Sequence, residues 1–332
     1  MTGSITQRPT RPGSRIAGVG SYIPRRVVTN AEMCTMIDTS DEWIQQRTGI
    51  VERRWASDDE PLLMMVTEAS RQALDHAGVD PSEVDAVIIA TVTHLIQTPA
   101  LAPLLAHELG LKDPAAYDIS AACAGFCYGL AQADALVRTG ASSTVLVVAA
   151  ERLSDLTDKS DRGTAFLFAD GAGAAVVVPS ETPGIGPVVW GSDGSQSEVI
   201  QQTQDFRQAV PTAQMPTVAM DGRPVFRWAT TFIADAARRV LSESGVEPAE
   251  LDVFIPHQAN NRITDSMLRH LKLPEHVVVA RTIRHLGNTS ASSVPIAINA
   301  LLTEGQAKSG QTALIIGFGA GLVYAGQLIT LP

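Results

Sequence analysis

Cys123 is the residue of this chain best suited to act as a nucleophile. It lies in the stretch 117–130, where a short predicted strand runs into a predicted helix. Apolar residues from Phe126 to Val137 recur at helical spacing, so we expect a helix that begins at or just before Cys123 and ends near Gly140. Free amide groups and the positive end of the helix dipole would then favour the reactive thiolate. The same pattern also fits a cysteine that is only a small buried apolar residue, so this stretch alone leaves both interpretations open.

A short predicted helix could bind a flat anionic group. Ser40 or Asp41 is a suitable N-cap, and Trp43 and Arg47 lie four residues apart, on one helix face. An aromatic ring beside a cation can hold a nucleotide, but the pattern fits equally well a tryptophan packed under an arginine stem. The glycine-rich turn 317–321 offers a different function, because backbone N–H groups can approach a ligand closely there and contribute to an oxyanion hole.

The elements that must position these residues occur twice. Segments 78–85 and 245–252 share a Gly, a Pro and an Asp at an offset of 167 residues, and each precedes a predicted buried strand. The strands predicted at 144–148 and 312–316 repeat at an offset of 168. This predicts two similar α/β halves fused into one body, with the junction in 179–186.

The duplication brings three polar residues into one region. Cys123 falls opposite Ser290, so two helix N-termini are expected to face each other across a pseudo-twofold axis. His257 and Asn288 also follow predicted strands, and open α/β sheets bind ligands at strand ends. A lone histidine is usually structural, but the coincidence of Cys123, His257 and Asn288 favours a shared functional site.

Composition limits the class of protein. The 332 residues are 45% hydrophobic and 18% charged, which fits a large compact α/β body. Residues 1–14 are predicted to be a flexible leader and not a signal peptide. No stretch is long and apolar enough to span a membrane, so we expect a cytoplasmic protein without membrane association. The net charge of −10 argues against general nucleic-acid binding, although such a surface could still carry a local basic patch for an acidic partner.

Cysteine number and motif spacing exclude further classes. The three cysteines, Cys34, Cys123 and Cys127, are too few for a disulfide scaffold or a tetrahedral zinc site, so no metal is expected. The glycine-rich turn lacks the spacing of a dinucleotide fingerprint, and the chain has no Walker-type sequence. The roles of Cys34 and Cys127 stay open.

Seven motifs recur in one order along the chain, namely TSDEWI at 39–44, RTGI at 47–50, ACAGF at 122–126, DRGT at 161–164, DGAGA at 170–174, PHQAN at 256–260 and GNTS at 287–290. With these motifs the chain resembles the β-ketoacyl-acyl carrier protein synthase III family over residues 15–332. The resemblance implies an α/β thiolase fold, in which two pseudo-duplicated βαβαβαββ halves, 15–182 and 183–332, form a five-layered α-β-α-β-α body, usually as a homodimer.

The resemblance also implies a reaction. Cys123 would take an acyl group from acyl-CoA, which is a substrate, and no cofactor is expected. Malonyl-acyl carrier protein would then lose carbon dioxide, with His257 and Asn288 holding the enolate oxygen. The N–H groups of Cys123 and Ala320 would form the oxyanion hole of the tetrahedral steps.

Binding sites follow from the same resemblance. Trp43 and Arg162 would enclose the CoA adenine, and Arg47 would meet its phosphates. Arginines near the tunnel mouth either receive the acidic carrier protein or are simply solvated. The other expected CoA contacts are Thr39, Gly222, Phe226 and Ala259, the expected acyl-pocket residues are Thr98 and Phe318, and the candidate docking arginines are Arg227, Arg262 and Arg269.

Thr98 predicts the size of the primer. It stands where some family members place a Phe that caps the acyl pocket, so we expect a wider pocket and a primer larger than acetyl, such as a propionyl or short branched acyl group. Two alternatives stay open within the fold: a priming enzyme of an aromatic polyketide pathway, and an acyltransferase that acts on an oxygen or nitrogen acceptor. A non-catalytic scaffold would be expected to lack Cys123 or His257, and neither is lost.

Overall fold

The protein is described from a computed structural model, which covers residues 5, 6 and 8–332. The strands are Gly13–Tyr22 (β1), Arg26–Thr29 (β2), Glu52–Trp55 (β3), Ala86–Ala90 (β4), Ala115–Ile119 (β5), Val145–Arg152 (β6), Asp170–Ser180 (β7), Val189–Ser192 (β8), Ile200–Gln202 (β9), Val218–Met220 (β10), Val253–Pro256 (β11), Val278–Val279 (β12), Thr312–Gly319 (β13) and Val323–Thr330 (β14). The α-helices are Asn30–Met36 (α1), Asp41–Thr48 (α2), Leu62–Ala77 (α3), Leu101–Glu108 (α4), Gly125–Arg138 (α5), Phe206–Thr212 (α6), Gly222–Glu243 (α7), Asn261–Leu271 (α8), Ile283–Leu286 (α9) and Ser293–Thr303 (α10).

Two five-stranded sheets have the same topology. The first has the order β1-β7-β6-β4-β5 and the second the order β8-β14-β13-β11-β12. In the first sheet β6, β4 and β5 are parallel, and β7 is antiparallel to both of its neighbours, β6 and β1. In the second sheet β13, β11 and β12 are parallel, and β14 is antiparallel to both of its neighbours, β13 and β8. This correspondence, strand by strand, confirms the prediction of two similar α/β halves.

Five layers follow from the way the helices cover the sheets. Helices α5 and α10 lie between the sheets, where Phe126 and Val294 pack with Val147 of β6 and Ile315 of β13. Helices α3 and α4 cover the outer face of the first sheet, and α7 and α8 cover that of the second. The central strands of these sheets, such as β4 and β6 in the first and β11 and β13 in the second, are therefore buried on both faces, which is why they read as continuous apolar runs. The predicted five-layered fold is confirmed.

A smaller cap is built on the first half. Helices α1 and α2 and the hairpin of β2 and β3 pack with residues 165–168 through a cluster of buried side chains that includes Met33, Ile44 and Trp55. The cap matters for function because it forms one wall of the site described below.

The body of the protein starts earlier than predicted. Strand β1 begins at Gly13, two residues before the predicted start. The N–H of Arg11 donates at 2.8 Å to the carbonyl of Arg138, the last residue of α5, and the Arg11 guanidinium donates to the carbonyl of Ser142 beyond it. Because the last carbonyls of a helix have no partner within it, Arg11 supplies a donor there, and this part of the leader is bound. Residues 1–4 and 7 of the predicted leader lie outside the described residues.

The junction between the halves lies where the chain changes sheet. Strand β7 ends at Ser180 in the first sheet, and β8 begins at Val189 in the second. The boundary between 182 and 183 falls within this connection and stays a prediction. Along the described chain, no helix is both long and apolar enough to cross a bilayer.

Candidate active site

Two cavities meet at Cys123. The first, of about 740 Å³, lies between the cap and helices α7 and α8, and its walls include Cys123, His257 and Asn288. The second, of about 690 Å³, lies beside β5 and the loop after β4, and its walls include Cys123, Ser290 and Ala320. The three residues predicted to share a site therefore do line one cavity.

Cys123 lies in a tight turn at the start of α5. The 3₁₀ turn Ala122–Ala124 leads into α5, and Ala122 has a φ of 44°. The equivalent turn Ser290–Ser292 leads into α10, and Ser290 has a φ of 53°. The structural offset is thus 168, and it pairs Ser290 with Ala122. The prediction that Cys123 falls opposite Ser290 is wrong by one residue, because the offset of 167 read from the first strands changes by one before this turn.

The environment of Cys123 disfavours the thiolate. Burial raises the pKa of Cys123 to about 11, and the nearby Glu151 carboxyl also raises it. The hydroxyl of Ser290 and the N–H of Cys123 lower this pKa, as expected of donors at a helix start, but they do not offset burial. Loss of water around the sulfur is therefore the largest influence on this thiol.

His257 is a neutral hydrogen-bond donor. Its side chain is buried, and burial lowers its pKa to about 3. The Nδ1 atom lies 2.7 Å from Oγ of Ser293, and that oxygen already accepts the N–H of Gln258 at 3.2 Å. Among the described residues the Ser293 hydroxyl has no other acceptor for its proton, so it donates to Nδ1. The hydrogen of the imidazole is then on Nε2.

Asn288 offers a second neutral donor. Its Oδ1 accepts the N–H of Ser290 at 2.9 Å, which orients the Nδ2 group away from that contact and toward the cavity. His257 Nε2 and Asn288 Nδ2 can thus both donate to an oxygen that gains negative charge. Because neither group is charged, neither adds a strong acid that would protonate a carbanion.

The glycine-rich turn packs directly against the nucleophile. A Cβ added at Gly319 would lie 2.9 Å from both Cβ and Sγ of Cys123, and one at Gly317 would lie 2.8 Å from Cα of Ala124. Only glycines allow the end of β13 to approach so closely. Ala320 follows immediately and lines the second cavity with Cys123, and its place in an oxyanion hole stays a prediction.

The wall of the first cavity that α2 forms carries an aromatic ring beside two cations. Ser40 caps α2 by accepting the N–H of Trp43, as predicted. The guanidinium carbon of Arg47 lies 5.7 Å from the centre of the Trp43 ring, and that of Arg162 lies 5.0 Å from it. Trp43 and Arg47 line the cavity, whereas Arg162 does not, although Gly163 next to it does. Because Arg162 lies over the Trp43 ring, it must move if an adenine is to lie between them.

Further predicted CoA residues lie on the wall near α7 and α8. Gly222 and Phe226 of α7 and Ala259 line the first cavity. Thr39 does not line it, and in the described structure its buried hydroxyl has no hydrogen-bond partner. Thr98 lines neither cavity, although Gln97 next to it lines the second.

Phe318 does not line the second cavity. It lines the first cavity, where its ring makes an edge contact with His257, with centroids 5.3 Å apart. The assignments of Thr98 and Phe318 to an acyl pocket stay predictions.

Unpaired arginines surround the mouth of the first cavity. Arg227 and Arg262, both exposed, line it, and the guanidinium of Arg262 lies over the ring of Phe226. Arg269 is exposed two turns further along α8, and Arg223 is an additional lining arginine that the sequence did not single out. Within the described part of the chain none of the four forms an ion pair.

A buried carboxyl beside the site escaped the sequence analysis. Glu151, at the end of β6, accepts the Thr93 hydroxyl at 2.7 Å and the N–H of Val92 at 3.1 Å, and Oγ of Ser290 lies 3.4 Å from it. Burial raises the pKa of Glu151 to about 7. The feature of the sequence that could have indicated this residue is an acidic side chain at the end of an otherwise apolar predicted strand. The described residues hold no group of three or more potential metal ligands.

Two family models match the chain. The model described as 3-oxoacyl-[acyl-carrier-protein] synthase III matches residues 117–194, and the model of its C-terminal part matches residues 241–331. A β-ketoacyl-[acyl-carrier-protein] synthase III of Streptomyces glaucescens is 54% identical over 324 residues, which are 97% of this chain and 97% of that protein. The chain belongs to the 3-oxoacyl-[acyl-carrier-protein] synthase III family. Members of this family are condensing acyltransferases.

Solved structures agree with the family assignment. A priming β-ketosynthase of a polyketide biosynthetic pathway superposes with a TM-score of 0.97 at 50% identity, covering 99% of both chains. The synthase III of Aquifex aeolicus superposes with a TM-score of 0.89 at 40% identity, covering 96% of this chain and 100% of that one. The thiolase fold expected from the sequence is confirmed.

Proposed function

We propose that this protein is a β-ketoacyl-acyl carrier protein synthase III that uses Cys123, His257 and Asn288. In the first half-reaction the Cys123 sulfur bonds to the acyl carbonyl carbon of acyl-CoA. The bond between that carbon and the CoA sulfur breaks, and the thiol proton ends on CoA. The N–H groups of Cys123 and Ala320 stabilise the tetrahedral oxyanion, and each such donor contributes about 3 kcal/mol to the transition state.

The second half-reaction forms the carbon–carbon bond. The malonyl carboxylate of malonyl-acyl carrier protein leaves as carbon dioxide, and its electron pair forms an enolate whose oxygen accepts from His257 and Asn288. The enolate carbon attacks the acyl carbonyl, and the bond to the Cys123 sulfur breaks, which leaves a thiolate that takes a proton from water. The observation that carries this proposal is the pair of neutral donors, His257 Nε2 and Asn288 Nδ2, on the cavity that reaches Cys123.

Intact mass spectrometry tests both half-reactions. The protein is incubated with a panel of acyl-CoAs, with Cys123→Ala as the control, and malonyl-acyl carrier protein is then added. We expect a mass gain of one acyl group in the wild type only, followed by its loss with formation of a 3-ketoacyl carrier protein. A stable acyl-enzyme that never condenses would contradict the proposal, and would favour transfer to an oxygen or nitrogen acceptor.

The primer is proposed to be larger than acetyl. The second cavity extends from Cys123 and Ala320 to Phe206 with a volume of about 690 Å³, which supports a propionyl or short branched acyl group. We expect faster acylation of Cys123 by propionyl-CoA and isobutyryl-CoA than by acetyl-CoA. Equal or faster turnover of acetyl-CoA would contradict this proposal.

The pathway of the product is a separate question. The TM-score of 0.97 with a polyketide priming ketosynthase supports the second candidate, namely the same condensation on the carrier protein of a polyketide pathway. Comparing the turnover of malonyl groups on a fatty-acid and on a polyketide carrier protein distinguishes the two.

The nucleotide and the carrier protein are proposed to bind at the mouth of the first cavity. Trp43, Arg47 and Arg162 would bind the adenine and phosphates of CoA, and Arg227, Arg262 and Arg269 would contact the carrier protein. In the described part of the chain these three docking arginines form no ion pair, which supports this, since unpaired cations keep their charge available for an anionic partner.

A homodimer is proposed at the edge of the first sheet, beside the second cavity. Strand β5 is the edge of the first sheet, and it is only partly buried. Exposed apolar side chains of Val92, Leu95, Ile96 and Tyr117 lie beside it. A second copy of this chain that pairs there would cover both the edge and the apolar surface. Light scattering should give twice the mass of the chain, and Ile96→Glu should reduce it to that of one chain.

A further inference from the structure

The backbone of Asn288 is held by a short segment that runs from a turn into an isolated bridge at Phe168 and belongs to neither five-stranded sheet. We call residues 166–169 the spacer segment. The N–H of Asn288 donates to the carbonyl of Leu167 at 3.0 Å, and the N–H of Ala169 donates to the carbonyl of Asn288 at 2.9 Å. Both backbone groups of Asn288, its N–H and its carbonyl, are thus hydrogen-bonded to the same edge of the spacer segment.

The other edge of the spacer segment is held by two side chains of β3. The carbonyl of Phe166 accepts from Nη2 of Arg53 at 3.1 Å and from Nε at 3.3 Å. The carbonyl of Phe168 accepts from the indole Nε1 of Trp55 at 3.1 Å. The carbonyls of Phe166 and Phe168 thus accept from Arg53 and Trp55, while the Leu167 carbonyl between them accepts from Asn288.

The burial of Arg53 indicates that these bonds are specific. Its side chain is fully buried, and burial lowers its pKa to about 10. Its remaining donors bind the carbonyl of Val28 at 3.0 Å and Oδ1 of Asn30 at 2.6 Å. A buried charge is costly unless it is hydrogen-bonded, and within the described residues Arg53 has no carboxylate partner. Its neutral acceptors therefore compensate for its burial, and the Phe166 carbonyl is one of them.

Arg53 also abuts the residue before Asn288. Gly287 has a φ of 72°, and a Cβ added there would lie 2.7 Å from Cβ of Arg53 and 2.8 Å from Cβ of Ala169. The turn that precedes Asn288 is consequently packed between β3 and the spacer segment. A shift of β3 or of the spacer segment would therefore move the Asn288 side chain.

We propose that Arg53 and Trp55 are positioning residues that hold Asn288 in register through the spacer segment. They touch neither the nucleophile nor the substrate, and they set the location of the Nδ2 donor. This inference rests on the proposed function, because it assigns Asn288 to the enolate of the second half-reaction. A displacement of about 1 Å in such a donor can reduce a rate by about 100-fold.

The two half-reactions depend on different parts of the molecule. Acylation uses Cys123 and the oxyanion donors of Cys123 and Ala320, which are carried by the turn before α5 and by the end of β13. Condensation adds Asn288, whose backbone is bound to the spacer segment. Loosening Arg53 or Trp55 is therefore expected to slow condensation much more than acylation.

Single-turnover experiments test the inference. Trp55→Phe removes one N–H donor and keeps an aromatic ring, and Arg53→Lys keeps the charge and removes the paired donors at Phe166. Met33→Leu is the control, because Met33 is equally buried in the same cap but makes no hydrogen bond to the spacer segment. Acylation is followed by intact mass, and condensation is followed after mixing pre-acylated enzyme with malonyl-acyl carrier protein.

We expect condensation by Trp55→Phe and Arg53→Lys to be at least 10-fold slower than in the wild type, and acylation to stay within two-fold. Met33→Leu should leave both rates unchanged. In an Asn288→Ala background, Trp55→Phe should have no further effect on condensation, which a general loss of structure would not reproduce. If the Arg53→Lys protein does not fold, the rates of the Trp55→Phe protein alone are enough to test the inference.

Either of two results would overturn the inference. One is a parallel loss of acylation and condensation in the folded Trp55→Phe protein, and the other is no loss of condensation in that protein. A wild type that neither acylates nor condenses would instead refute the proposed function.

Discussion

Hydrogen-bond partners decide what His257 can do. Burial keeps its imidazole neutral, with a pKa of about 3, and the Ser293 hydroxyl determines which nitrogen carries the hydrogen. The same principle applies to Asn288, where the N–H of Ser290 determines which end of the amide faces the cavity. At this scale the site consists of two neutral donors, each oriented by one serine.

Ser293→Ala is expected to slow condensation. Without the hydroxyl, Nδ1 of His257 loses its donor, and the tautomer with hydrogen on Nε2 is no longer favoured. Because loss of one donor to a developing oxyanion costs about 100-fold or more, and only part of the His257 population is affected, we expect a reduction of about 10-fold or more. Condensation is measured from pre-acylated enzyme, and Ser293→Thr, which keeps a hydroxyl, should restore most of the rate. An unchanged rate in Ser293→Ala would contradict the tautomer assignment.

The alkylation of Cys123 by iodoacetamide should depend steeply on pH. With a pKa of about 11, about one molecule in a thousand carries the thiolate at pH 8, so the rate should rise about tenfold per pH unit up to that value. Ser290→Ala should raise the pKa further and slow alkylation, since the Ser290 hydroxyl lowers it. The measurement is made in a Cys34→Ser background, because Cys34 is exposed. A plateau below pH 8 would show that the helix end stabilises the thiolate after all.

Contacts between elements set the space around the nucleophile. The end of β13 lies against the turn that precedes α5, and the contact is possible only because residues 317 and 319 are glycines. The same turn recurs in the second half before α10, where it positions Ser290 rather than a nucleophile. The duplicated element thus supplies the nucleophile in one half and its hydrogen-bond partner in the other.

Gly319→Ala is expected to slow the acylation of Cys123 strongly, because it disrupts this contact. The added methyl group would lie 2.9 Å from Sγ of Cys123, so either the sulfur or the turn that carries the Ala320 N–H must move. We expect the acylation rate by any acyl-CoA to fall by at least about 100-fold, with a protein that still folds. Gly194→Ala is the matched control, because a Cβ there would meet no neighbouring atom within 4 Å. Acylation at the wild-type rate would show that the turn is not part of the oxyanion hole.

The distribution of charge over the whole molecule determines where a charged partner can bind. The chain has a net charge of −10, yet exposed arginines without ion pairs in the described structure lie around one cavity mouth. An acidic partner is repelled by most of this surface and attracted at one place, which guides its approach.

Arg262→Glu combined with Arg227→Glu is expected to raise KM for malonyl-acyl carrier protein by about 10-fold or more, because two attractive contacts become repulsive. The acylation rate of Cys123 by saturating acyl-CoA should change much less. Arg15→Glu is the control, since Arg15 is exposed on β1 and lines neither cavity. Measuring KM at two salt concentrations should show a weaker salt dependence in the double variant. An unchanged KM would place the carrier protein elsewhere.

The sequence by itself determined the duplicated halves, the apolar strands and the residues that carry the chemistry. These depend on local patterns, namely runs of buried apolar residues, helix caps and motifs such as those around Cys123 and His257. The tertiary structure decided the rest, because burial and long-range contacts are not encoded in neighbouring residues. It showed that desolvation raises the pKa of Cys123, that the Ser293 hydroxyl contacts Nδ1 of His257, and that Arg53 and Trp55, more than 200 residues away along the chain, bind the same spacer segment as the backbone of Asn288.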